Sequence, residues 1–409
     1  MTATPQWQLR AGFAAGLSTM YGAEVPAYTT LVDVSAGVNA DHIAAHPDAE
    51  RLGSLDRVTA ERHGAIRVGG PAELADVATL FAAFGMHPVG YYDLRDAASP
   101  VPVVSTAFRP VDNDELARNP FRVFTSMLAT RDRRFFHPDL RDRVGTFVAQ
   151  RQLFDPALIT TARRIAADGG CAATEADEFV SRAVDAFSLS RAPIDRAWYD
   201  ELSEVSAVAA DIAGVGSTHI NHLTPRVLDI DELYARMNAR GIAMIDAIQG
   251  PPRQEPAVLL RQTSFRALAE PRRFRDANGA EYDGTLRVRF GEVEARGVAL
   301  TRKGRERYDA AMAQPDRAAT WGDYFPDSDA EMASQGLAYY RHGDPTKPIV
   351  YEDFLPASAA GIFRSNLDGE AHKSEGDSGD YSAEWMASLL HANAVELLDP
   401  YALYEKAAS

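Results

Sequence analysis

The chain has 409 residues, 46% hydrophobic and 24% charged, which is the profile of a water-soluble globular protein with material for more than one structural unit. Asp and Glu number 58 against 42 Lys and Arg, a formal charge of -16, and such a field disfavours phosphate backbones, so no nucleic-acid partner is expected. A single cysteine, Cys171, excludes an internal disulfide and a thiolate metal cage, and with no apolar run of membrane-spanning length and no secretory pattern in MTATPQWQLR, a cytoplasmic protein without a membrane partner is expected.

Residues 1–50 read as a helical segment, with Leu17, Met20, Tyr21, Tyr28, Leu31 and Val32 at helical intervals and Pro26 breaking the run. Residues 51–138 form the first module. In it, RVTAERHGAIRV (57–68) alternates apolar and polar residues and predicts a strand. PAELADVATLFAAFG then predicts a helix, with Pro71 near its start and Gly85 at its stop. HPVGYYDL, VPVVSTAF and FRVFTSML predict three further strands. Helical periodicity takes over from 139 to 213 and marks an insertion.

Residues 214–300 form a second module that begins with THINHLTPRVLDI. DIDELYARMNARG is its helix, with Asp229 in N-cap position. AVLLRQTSF, a hairpin turning at Asn278-Gly279, and GTLRVRFGEVEARGVALT supply its strands. Residues 301–409 read as a mixed C-terminal segment packing on the central sheet, with helices near 303–313 and 382–397 and a mobile loop at EGDSGDYS (375–382).

The two modules repeat one another. His63-Gly-Ala-Ile-Arg67 matches His222-Leu-Thr-Pro-Arg226, and Glu73-Leu74 matches Glu232-Leu233. Phe84-Gly85-Met86 matches Arg240-Gly241-Ile242, and Thr106-Ala107-Phe108-Arg109 matches Thr263-Ser264-Phe265-Arg266. The order and spacing predict two strand–helix–strand–strand–strand units sharing one curved sheet, an α+β fold. Paired about a pseudo-twofold axis, the units would let His63 and His222 face each other.

Two facing histidines and one carboxylate make a metal site. Glu292 and Glu294 in RFGEVEARG lie two apart on a strand and share a face. Glu292 is taken as the third ligand and Glu294 as its alternative. Two His and one carboxylate with open positions suit non-heme Fe(II). A structural histidine and salt-bridged glutamates are the competing roles. His219 competes with His222, but lies three residues earlier and so on the opposite strand face, and the match of Arg226 to Arg67 prefers His222. Arg67, four residues after His63, is placed to clamp a substrate carboxylate, with a structural ion pair as the other reading. Arg226 can hold either role, and His137, His342, His372 and His391 have no partner pattern.

The segments MYGAEVPAYTTLVDVSAGVN (20–39), ERHGAIRVG (61–69), STHINHLTPRVLDID (217–231), FGEVEARGVALTRKGRERYD (290–309) and YEDFLPASAAGIFRSNL (351–367) together resemble the 2-oxoadipate dioxygenase/decarboxylase family of the vicinal oxygen chelate superfamily. The resemblance implies paired βαβββ units in a curved mixed sheet around one Fe(II), with added helices. It implies His63, His222 and Glu292 as ligands and catalytic residues, and Arg67 as the substrate arginine. FLPASAAG is similar to a substrate-contacting loop of the family, which makes Ala357 and Ser358 substrate-binding candidates. The activity implied is conversion of 2-oxoadipate, a 2-oxo dicarboxylic acid, and O2 to 2-hydroxyglutarate and CO2, a step of lysine catabolism. Two alternatives stand beside it: a non-redox isomerase or lyase with Zn or Ni, and a non-catalytic binding protein. Non-redox enzymes of this kind often offer four protein ligands, and FRVFTSML carries no carboxylate for a fourth.

Overall fold

The computed structural model describes residues 3–46, 49–97, 100–287, 289–355 and 376–409. A short strand β1 (Ala3–Pro5) leads into helices α1 (Gln6–Glu24) and α2 (Pro26–Ala45), broken where Pro26 begins the second. Helix α3 (Leu55–Ala60) follows, so the strand expected over 57–68 is shorter than its alternation implied. Ser54 explains the difference: its side chain accepts the Arg57 N–H and starts a helical turn that buries Val58.

The first module is then β2 (Arg62–Val68), α4 (Pro71–Ala82), β3 (His87–Asp93), β4 (Val103–Arg109), α5 (Asn113–Arg118) and β5 (Arg122–Leu128). The insertion supplies α6 (Pro138–Gln150), α7 (Pro156–Asp168), β6 (Gly170–Ala172), α8 (Ala173–Asp185), β7 (Ile194–Asp195), α9 (Arg196–Val205) and α10 (Ala207–Ala213). The second module is β8 (His222–Pro225), α11 (Ile230–Ala239), β9 (Leu260–Phe265), the hairpin β10 (Glu270–Arg275) and β11 (Glu281–Leu286), and β12 (Gly291–Arg296). Asp229 caps α11 as expected, accepting the N–H groups of Asp231 and Glu232. After it come α12 (Arg302–Met312), α13 (Arg317–Thr320), α14 (Asp329–Ser334), α15 (Ala383–His391) and α16 (Pro400–Ala408). The helix expected to reach 397 stops at His391, before Ala394 takes a left-handed φ of 59°.

The sheet repeats as the modules do. In the first, strands run in the order β3-β4-β5-β2, with β2 parallel to β5. In the second, Met244 and Gln249 bridge to β9, β9 pairs antiparallel with β12, and Arg226 bridges parallel to Glu294. The order there is 244–249, β9, β12, β8. The modules join where β2 and β8 pair antiparallel, Ala65 opposite His222. The result is the paired βαβββ arrangement in a mixed sheet.

One face of this sheet, with Ile66, Phe108, Val123, Leu223, Phe265 and Val293, packs on α1, α2, α4, α7, α8 and α11. The other carries Ala65, Ala107 and Phe124 and meets α6, α9, α10 and Phe354. The metal-site residues project from this second face. Residues 376–382 have no regular structure, but the expected loop is tied down. Asp377, Ser378 and Asp380 carbonyls accept bonds from Arg133, Arg95 and Arg131.

Candidate metal centre

His63 is the second residue of β2 and His222 the first of β8. Antiparallel pairing sets their rings 5.5 Å apart, nearly perpendicular. Glu292 enters from β12, on the far side of β8. Its Oε1 lies 3.5 Å from Nε2 of His63, and its Oε2 3.6 Å from Nε2 of His222. One donor atom from each of the three lies within 4.8 Å of the others, and all three side chains are buried.

The outward ring atoms have partners of their own. Nδ1 of His63 stands 3.0 Å from Glu294 Oε2, and Arg296 grips that carboxylate at 2.7 and 2.9 Å. Nδ1 of His222 is 3.0 Å from Thr224 Oγ1. Phe354 meets the His63 ring edge-on at 5.0 Å, and Phe290 stacks on His222 at 5.2 Å. Each imidazole is therefore held with Nε2 directed at Glu292, the arrangement by which outer partners orient metal ligands.

The electrostatics separate the two glutamates. Burial pushes Glu292 above the ordinary carboxylate range, with only partial relief from His63. Burial also acts on Glu294, but Arg296 and His63 outweigh it and hold Glu294 well below that range. Burial, with His63 and Arg67 nearby, keeps His222 well below its usual pKa. Burial acts the same way on His63, but Glu294 and Glu292 overcome it and raise its pKa. Gln262 donates to Glu292 Oε1. Two imidazoles and a carboxylate, buried and converging, fit a divalent first-row metal.

The register identifies the position that a fourth ligand would take. Ser264 faces Glu292 across β9–β12, and its repeat-mate Ala107 faces Phe124 across β4–β5. Arg226 bridges Glu294 as Arg67 pairs with Ser126. Both alignments make Phe124 the counterpart of Glu292. Its ring packs against Phe354 and Tyr92, so the first module brings an apolar wall where the second brings a ligand.

Arg67 lies on the same face of β2 as His63 and pairs with Asp211 of α10. Asp211 also approaches His219, whose Nε2 is 3.1 Å away. His219 thus joins the partner of Arg67, although strand alternation set it on the opposite face. The reason is that β8 begins only at His222, so alternation does not extend back to 219. Arg226 turns away to Glu61 at 2.8 Å and the Leu52 carbonyl. His137 caps α6, while His342 and His391 are exposed. His372, Ala357 and Ser358 lie outside the described residues. Sequence reasoning missed Asp211, Gln262 and Phe354. A lone acid in the apolar run AVAADIAG was the available signal for the first.

The family model described as 2-oxoadipate dioxygenase/decarboxylase matches residues 13–366. The chain is 71% identical over 403 residues to a protein of that name from Mycobacterium tuberculosis, covering 98% of this chain and 96% of the relative. The chain belongs to the 2-oxoadipate dioxygenase/decarboxylase family. A family member from Pseudomonas putida is 40% identical over 97% of this chain and 93% of its own. The crystal structure of the hydroxyglutarate synthase from Pseudomonas putida in complex with 2-oxoadipate matches with a TM-score of 0.84 and 36% identity, covering 99% of this chain and 96% of that one. Among the described residues no helix of this 2-oxoadipate dioxygenase/decarboxylase family member is long and apolar enough to cross a membrane.

Proposed function

We propose that the chain is an Fe(II)-dependent dioxygenase that converts 2-oxoadipate and O2 to 2-hydroxyglutarate and CO2, in cytoplasmic lysine catabolism. The observation that carries this reading is the convergence of His63, His222 and Glu292 where two βαβββ units of a family member meet. These three residues would hold the metal. Such a metal, when bound, supplies Lewis acidity and the one-electron chemistry that O2 requires.

The chain's own residues do the rest. Glu294 and Thr224 hold the imidazoles in orientation. Phe124, Phe290 and Phe354 line the centre with apolar rings and limit water. Arg67, steadied by Asp211, takes the carboxylate remote from the reacting carbon, in two parallel hydrogen bonds. Ala357 and Ser358, outside the described residues, are the further substrate contacts that the family resemblance implies. The same reading keeps the five-part division at 1–50, 51–138, 139–213, 214–300 and 301–409, with the site built at the junction of the second and fourth parts.

The test is anaerobic loading with Fe(II), then addition of 2-oxoadipate and measured O2. Consumption of one O2 per CO2 released, with 2-hydroxyglutarate as product, is expected. His63→Ala and His222→Ala are expected to lose both metal and turnover. Product formation without O2 uptake overturns the dioxygenase and favours a non-redox enzyme. Unchanged ligand affinity in the two alanine variants, without turnover in the parent, favours a binding protein.

A further inference from the structure

Next to the metal centre is a buried polar cluster that the ligand set does not use. Its members come from three elements: Arg67 from β2, Asp211 from α10, and His219 and Asn221 from the segment entering β8. Asp211, His219 and Asn221 are each no more than 2% exposed. Thr218 Oγ1 donates to the Arg67 carbonyl at 2.7 Å, and the Asn221 N–H donates to that of Ala65 at 2.9 Å. These bonds hold the segment against β2. Asn221 Nδ2 donates to Asp211 Oδ2 at 2.8 Å, and His219 Nε2 lies 3.1 Å from Asp211 Oδ1. The cluster borders the metal centre, because Arg67 follows His63 by four residues on the same face of β2 and Asn221 directly precedes His222.

Two features of the cluster are unexplained by structure alone. His219 Nδ1, Asn221 Oδ1 and Asp211 Oδ1 are buried and have no hydrogen-bond partner among the described residues. Such atoms are costly unless something else satisfies them. Charge is the second feature. Arg67 is paired with Asp211, so the two together carry no net charge. A carboxylate brought beside a neutralised arginine needs a further donor to offset its desolvation.

We propose that His219 is a specificity-determining residue, whose Nδ1 donates a hydrogen bond to the distal carboxylate of a 2-oxo dicarboxylic acid alongside Arg67. Asn221 Nδ2, itself bonded to Asp211, lies 3.2 Å from Nε2 and donates to it, so the ring's proton sits on Nδ1, toward the substrate. The role of Asp211 is to position both donors. This inference rests on the function proposed above.

The test compares 2-oxoadipate with 2-oxohexanoate, which has the same reacting end and chain length but no distal carboxylate. His219→Gln keeps an amide near the place of Nε2, for Asn221, and deletes the donor at Nδ1. It is expected to raise KM for 2-oxoadipate about tenfold or more, with kcat within about threefold. KM for 2-oxohexanoate is expected to stay within about twofold. His219→Asn returns a donor near the place of Nδ1 and is expected to recover most of the preference for 2-oxoadipate. Anaerobic binding of both acids to the zinc-loaded proteins, by calorimetry, is expected to show the same pattern without turnover. Equal changes for both acids, or none for either, overturn the role of His219. So does an asparagine variant no more selective than the glutamine variant. If His219→Gln fails to fold, the asparagine variant carries the test, and loss of its preference for 2-oxoadipate overturns the role. Failure of the parent protein to turn over 2-oxoadipate would instead remove the proposed function itself.

Discussion

Glu292 and Glu294 project from one face of β12, and their surroundings give them different work. Glu292 has both histidine Nε2 atoms near it and no arginine partner among the described hydrogen bonds, only Gln262. Glu294 is saturated by Arg296 and faces the other nitrogen of His63. The spacing of two made the shared face legible in the sequence. The choice between them was not, because it depends on how far β12 slides along β8, and that register is set across 68 residues of chain. The same holds for His219, whose place follows from an irregular turn rather than from periodicity. The division of labour is measurable. Glu292→Gln is expected to abolish stoichiometric metal after dialysis. Glu294→Gln keeps the ligand set and is expected to weaken affinity by about 10–100-fold, the usual cost of losing an orienting carboxylate. Metal content by elemental analysis and titration of Co(II) absorbance separate the two. Equal retention in Glu292→Gln and the parent would exclude Glu292 as a ligand.

At the scale of elements, the repeat was the legible part, because each landmark reports a local constraint. Gly85 and Gly241 occupy the same point after α4 and α11, with φ of 65° and 75°. Both helices end on a reversed bond, from Met86 N–H to the Phe81 carbonyl and from Ile242 N–H to the Met237 carbonyl. Where capping chemistry competed with alternation, as at Ser54, the alternation misled. Where pairing is by isolated bridges, as at Met244 and Gln249, no strand pattern announced it. Gly241 allows a clean measure of the shared turn. A Cβ there would meet nothing within 4 Å, so Gly241→Ala carries only the cost of the left-handed backbone. A loss of about 1–2 kcal/mol in urea unfolding is expected, with metal content unchanged. No loss would mean that the turn relaxes and that the match to Gly85 is not a constraint on the fold.

For the whole molecule, the C-terminal segment is the part least like an appendage. Residues 349–355 run against both modules. Tyr351 N–H donates to the Gly297 carbonyl at 2.9 Å, following β12. Glu352 pairs with Arg57 at 2.7 Å and Arg122 at 2.6 Å, and Asp353 with Arg109 at 2.7 Å. Tyr404 of α16 donates to Asp353, bringing the last helix onto the same group. Phe354, next in line, touches His63. Composition and periodicity could mark this segment as mixed structure, but buried charge pairs between distant residues leave no local pattern. They do make a test of unity. Asp353→Ala leaves Arg109 buried without its carboxylate and is expected to cost about 3–5 kcal/mol. If the segment is part of one cooperative structure, far-UV circular dichroism and tryptophan fluorescence should report a single unfolding transition displaced together. Metal affinity should fall with it, because Phe354 no longer braces His63. Two separate transitions, with the metal-binding one unmoved, would make the C-terminal segment an independent unit and Phe354 a bystander to the site.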